Sequence, residues 1–223
     1  MTRFVTHPVR PAFAPAAGSP GDPGERARLL VIACGAIARE LIEVARLHHL
    51  EDVEVTALPA ELHNRPRDIP DRVRDRIRAA QGRYDRILVG YADCGTGGLL
   101  DRVCDEEGVT RLPGAHCYEL FAGRQAFAAL QEDEPGTFYL TDYLVRHVDA
   151  LLFDGLGLDA HPELLPVYFG NYRRVVYLAQ TADPDLDARA RAAATRLGLA
   201  YERRLVGVGE LARTLLPVAA VPR

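Results

Sequence analysis

The 223-residue chain contains no lysine: all 27 of its basic residues are arginine. There is thus no amine to form a Schiff base and no lysine to cradle phosphate in a Walker loop. Pyridoxal-phosphate enzymes, lysine aldolases and P-loop NTPases are excluded. A basic excess is missing too, since 31 acidic residues bring the net charge to −4. With the signs interspersed, that argues against a protein held to nucleic acid by phosphate neutralisation. No apolar run reaches the roughly 18–20 residues that a membrane span needs. Residues 1–26 lack the apolar core of a signal peptide and carry Pro8, Pro11, Pro15, Pro20 and Pro23 among Ala and Gly. They read as a disordered extension ahead of a single domain over residues 27–223. Cysteines are few. Without a secretory signal, Cys34, Cys94, Cys104 and Cys117 read as reduced thiols of a cytoplasmic protein.

What the chain does have is alternation. Short apolar runs at Leu29–Ala33, Val53–Leu58, Ile87–Tyr91, Val109–Leu112, Thr137–Thr141 and Val175–Ala179 read as strands, and Tyr201–Val206 and Leu211–Leu216 complete the chain. Between them lie helical faces, such as Ile37, Leu41, Val44 and Leu47, or Ile69, Val73 and Ile77. Asp142 reads as the N-cap of a helix whose face is Leu144, Val148, Leu151 and Leu152. The pattern predicts an α/β fold, a three-layer α/β/α arrangement around a largely parallel, Rossmann-like sheet.

In such sheets ligands bind beyond the carboxyl ends of the strands. Those ends carry Cys34, His63 slightly beyond its strand, Asp93-Cys94, His116-Cys117 with Glu119, Asp142 and Gln180-Thr181 with Asp183. Cys104, inside a helix, is a packing or surface residue. A single cysteine after a buried strand is usually a small core residue. Three at separate strand ends, two of them beside Asp or His, exceed what packing asks for. The loop Asp93–Gly98 is either a tight strand-to-helix turn or a nest of N–H groups, offered by Gly95, Thr96, Gly97 and Gly98 to an anion or to the Cys94 thiolate.

Thiolates joined by imidazole suit zinc, whereas three cysteines and one free position suit an iron–sulfur cluster. Cys34, Cys94 and Cys117 are the expected ligands, with His63 or His116 as a fourth. Zinc is preferred because histidines accompany the cysteines. Asp93, Glu119 and Asp142 are the candidate proton carriers.

Several runs together resemble a known family: Val31-Ile32-Ala33-Cys34-Gly35-Ala36, Leu58–Pro66, Asp93–Gly98, His116–Glu119, Gly136–Asp142 and Tyr177–Thr181. It is the uncharacterised bacterial and archaeal family designated domain of unknown function 1638, and the likeness covers residues 29–216. Its members are often encoded near corrinoid-dependent methyltransferase components. The resemblance therefore implies a role in one-carbon metabolism, with a small-molecule substrate or a corrinoid or methyltransferase protein as partner. A looser likeness is to cofactor-independent amino-acid racemases, which place one cysteine after each of two strands, as Cys34 and Cys117 stand here. Gly35-Ala36 replaces their polar Asn-Thr pair, and Cys94 has no place in that scheme.

Overall fold

The computed structural model describes residues 28–220, so the extension expected over residues 1–26 lies outside the described residues. The chain opens with β1 (Leu29–Cys34), all six residues buried, then α1 (Ala38–Leu47) and β2 (Val53–Leu58). Two short 3-10 turns, Ala60–Asn64 and Pro66–Asp68, lead into α2 (Ile69–Ala80). Next come β3 (Arg86–Gly90), α3 (Leu99–Glu107), the two-residue β4 (Thr110–Arg111), α4 (Cys117–Ala122) and α5 (Arg124–Asp133). The remainder is β5 (Thr137–Thr141), α6 (Asp142–Arg146), α7 (Leu165–Phe169), β6 (Arg174–Ala179), α8 (Pro184–Leu197), β7 (Ala200–Leu205) and α9 (Gly209–Ala219).

Every strand pairing is parallel, and the α/β class follows from the alternation as the sequence implied. The strands divide between two sheets, ordered β2-β1-β3-β4 and β5-β6-β7. Alternation alone does not specify such a division, because a strand–helix unit reads the same in one sheet or two. The break falls where two helices, α4 and α5, follow each other without a strand between them. Gly123 separates them with φ at +82°, a conformation that a residue with a Cβ adopts only under strain.

Of the helix faces seen in the sequence, Ile37, Leu41 and Val44 at α1 and Ile69, Val73 and Ile77 on α2 are buried, whereas Leu47 at the end of α1 is exposed. α9 does not stay with the second sheet that precedes it. It packs against α1 and α4, and its Leu211 and Leu215 join the core of the first sheet. Asp142 is not an N-cap. That position is Thr141, whose hydroxyl accepts the Leu144 N–H at 3.4 Å, while the Asp142 carboxylate is drawn inward by partners on β6. Among the described residues, no helix is long and apolar enough to cross a membrane.

Candidate functional site

In the first sheet the chain leaves β1 toward β2 on one side, then returns to place β3 on the other. The carboxyl ends of β1 and β3 thus flank the topological switch point, the position at which open parallel sheets bind ligands. Cys34 is the last residue of β1; Tyr91 follows β3 directly, and Cys94 lies just beyond. A Cβ on Gly35 would stand 3.0 Å from the Leu58 carbonyl oxygen, so only glycine lets the chain turn this tightly past the end of β2. The turn brings the Ala36 N–H to 3.3 Å from the Cys34 sulfur.

His63 sits in the 3-10 turn after β2, with Nδ1 at 3.8 Å and Nε2 at 4.0 Å from Cys34 Sγ. Nδ1 is also 3.0 Å from the Ala60 carbonyl oxygen, which can only accept. The proton of the neutral ring is therefore assigned to Nδ1, leaving the Nε2 lone pair free. Burial lowers the His63 pKa; the Ala60 carbonyl works against this, and His116 adds to the lowering. The ring stacks on Tyr91, with centroids 6.1 Å apart and planes 12° from parallel.

Cys94 is held in the left-handed region at φ +52°, an uncommon conformation for a residue that is not glycine. Two backbone bonds fix it there. Asp93 N–H donates to Gly114 O at 3.0 Å and Cys94 N–H to Ala115 O at 2.9 Å, which sews the loop to the segment entering α4. Cys117, the first residue of α4, is thereby brought beside Cys94, where its backbone acts to lower the Cys94 thiol against the larger effect of burial. The N–H groups of Thr96, Gly97 and Gly98 are already used within this loop. Asp93 accepts from the Thr96 hydroxyl at 2.7 Å, Gly97 N–H at 3.2 Å and Gly98 N–H at 2.9 Å. Burial acts to raise the Asp93 carboxyl, but these three donors outweigh it and hold it below the usual range. Asp93 is itself the anion in the nest, and Gly95, Thr96, Gly97 and Gly98 form the turn that presents Cys94.

The three thiols feel one another. Burial pushes the Cys34 thiol up to about 12, with the neighbouring Cys94 adding to the effect. Burial likewise puts Cys94 at about 11, and raises Cys117 well above the ordinary thiol range with help from Cys94 and then Cys34. All are free thiols. Among the described residues, no three His, Cys, Asp or Glu side chains already stand arranged to hold a metal ion. The sulfurs are neighbours, but they have not converged on one point.

The other expected residues take different places. His116 is exposed, its ring 6.3 Å from that of Tyr118. Glu119 folds back over the start of α4, accepting the Ala115 N–H at 2.9 Å. Asp142, fully buried at the end of β5, accepts from the Tyr177 hydroxyl at 2.6 Å, Gln180 N–H at 3.0 Å and the Thr181 hydroxyl at 2.6 Å. These bonds tie β5 to β6 and occupy the carboxylate. Arg146 lies 3.6 Å away, and the buried Glu40 of α1 is near enough for Asp142 to raise its pKa, after the larger effect of burial. Cys104 is buried inside α3, away from the other three.

Two residues of the site gave no signal of their own in the sequence. Tyr91 reads as the last core residue of a strand, and Tyr143 stands outside the helix face formed by Leu144, Val148, Leu151 and Leu152. Yet Tyr143, from the second sheet's side, is close enough to Glu61 and Cys34 that both add to the burial that raises its pKa. A family model described as "Protein of unknown function (DUF1638)" matches residues 57–215. No curated protein and no solved structure matches the chain.

Proposed function

The chain belongs to the DUF1638 family, and we propose that it is a metalloprotein in which Cys34, Cys94, Cys117 and His63 bind zinc at the switch point of the first sheet. The observation that carries this reading is the clustering of the buried Cys34 and Cys94 with the half-buried Cys117, Cys34 lying beside an imidazole whose acceptor nitrogen is Nε2. Three sulfurs and one nitrogen form a soft donor set, which suits zinc; a resident histidine makes an iron–sulfur cluster the lesser choice. His63 has the support typical of a ligating histidine, its other nitrogen bonded to a backbone carbonyl. Without a cation, burial keeps these groups as neutral thiols. A cation would stabilise their ionised forms and supply Lewis acidity or an activated thiolate.

The role implied by the family likeness is compatible with such a site. We infer an enzyme or accessory factor of corrinoid-linked one-carbon metabolism, in the reducing cytoplasm, acting with a small molecule or with a corrinoid or methyltransferase protein. The two-thiol isomerase reading is less well served. It needs a thiol that ionises readily to act as base, and burial here works the other way for both Cys34 and Cys117.

Anaerobically purified protein, measured by elemental analysis and visible absorption, tests the reading. Close to one zinc per chain is expected, with each of Cys34→Ser, Cys94→Ser and Cys117→Ser losing most of it and Cys104→Ala keeping it. A chain that takes up no metal, before or after reconstitution, and is indifferent to Cys94→Ser would replace this reading with the two-thiol isomerase.

A further inference from the structure

β7 forms one edge of its sheet: it pairs with β6, and among the described residues no strand lies beyond it. Its register with β6 is unbroken from Ala200 to Leu205. Ala200 N–H donates to Arg173 O at 3.1 Å, and Val206 N–H to Ala179 O at 2.9 Å. In a parallel ladder, residues alternate between bonding the neighbouring strand and facing away from it. The even-numbered residues of β7 therefore face β6, and Tyr201, Arg203 and Leu205 present their N–H and C=O groups at the open edge. The second half of that edge is uncovered: Arg203 and Arg204 are exposed, and Leu205 is 60% exposed. On the side of α5, the small Ala126 and Ala129 leave a groove open beside Arg204 and Val206. A row of outward-facing backbone donors and acceptors is a template for another strand.

The side chains specify which strand fits. Glu202 and Arg204 stand two apart on one face of β7. An antiparallel copy centred on Arg203 sets Glu202 opposite Arg204 of the second chain, and Arg204 opposite its Glu202. The same register pairs Tyr201 with Leu205 among the outward-facing residues, where each pair exchanges two backbone bonds. Centring on Glu202 or on Arg204 would bring like charges face to face instead. Arg203 does meet its own copy, but in the wider kind of pair, and its Nε lies 3.4 Å from Asp187 of α8. We propose that the chain forms a two-fold dimer through β7, an antiparallel junction that joins the sheets of two copies into one, running β5-β6-β7-β7-β6-β5. A second copy is the occupant because the charge pattern of this edge complements itself, as a two-fold contact requires. The inference is independent of the metal reading.

Sedimentation velocity on full-length chains, from about 1 to 200 µM at low salt, reads the assembly. The wild type is expected to pass from monomer to dimer over this range. Glu202→Arg alone and Arg204→Glu alone each set like charges opposite one another, and each should weaken the dimer about 10-fold or more. An equal mixture of the two variants restores both opposite-charge pairs and should dimerise like the wild type. Arg203→Pro gives a second route. It removes an N–H that β6 does not use, a change that edge strands tolerate, and should leave a folded monomer. If circular dichroism shows either charge variant unfolded, Arg203→Pro decides. A wild type that is monomeric at every concentration would overturn the inference. So would a dimer that Arg203→Pro leaves intact, or folded charge variants whose mixture stays monomeric, since another surface or register would then hold the copies together.

Discussion

At the scale of single residues, the thiols at the switch point are held protonated by their surroundings. A raised thiol pKa means that the folded chain binds the proton more tightly than the unfolded chain does. The associated stability is complete below the ordinary thiol value of 9.0 and is lost as pH rises toward about 11 for Cys94 and about 12 for Cys34. The metal-free protein is therefore expected to lose stability above about pH 9, as urea midpoints along a pH series would record. The same protons must leave when a metal binds. His63, lowered by burial, is already neutral and gives none up. Zinc uptake near neutral pH should then release about three protons, measurable by calorimetry in buffers of different ionisation enthalpy. A release near one would mean that a single thiol binds the ion.

At the scale of elements, the site is made by turns more than by strands or helices. The Asp93–Gly98 loop uses its one carboxylate to satisfy its own donors, and this holds Cys94 at positive φ. Replacing Asp93 by Ala should cost about 1–2 kcal/mol near neutral pH, the scale of a lost cap, and weaken metal binding by loosening Cys94. The folded carboxyl lies below its ordinary value, so its contribution is present above about pH 4 and fades as pH falls through the folded pKa. Denaturation of both chains across acid pH would show the gap closing; a constant gap would assign the effect to packing. The loop's glycines read equally well as a turn or as an anion nest, since both need the same backbone freedom. What distinguishes them is where the Asp93 side chain points, and spacing carries no record of that.

At the scale of the molecule, α9 closes the first sheet from the far end of the chain. Leu215 is fully buried against that core, and α9 packs on α4, whose first residue is Cys117. Leu215→Ala should cost about 2–5 kcal/mol and also weaken metal binding, although it lies far from any ligand in sequence. Urea unfolding followed by zinc titration would test both effects. Full metal affinity in a destabilised variant would separate the helix from the site. The two sheets also meet near the thiols. Tyr143 borders Cys34 from the second sheet's side, and Glu40 of α1 faces Asp142 and Arg146 of α6.

The α/β class, the parallel pairing and the strand-end position of the chemistry were legible in the sequence, because they rest on local periodicity and on a rule that every parallel sheet obeys. The cysteines were legible as candidates for the same reason: each follows an apolar run. Three things were decided only in three dimensions. The division into two sheets and the return of α9 depend on long-range contacts that leave no local pattern. The roles of Asp93, Glu119 and Asp142 depend on which donors surround each carboxylate. Asp142, which reads as a helix cap, is instead enclosed by Tyr177, Gln180 and Thr181. Tyr91 reads as the last apolar residue of a strand. Only the packed structure shows that its hydroxyl is buried beside a sulfur with no partner. Burial of a polar atom is a property of everything around it, and no run of neighbouring residues encodes it.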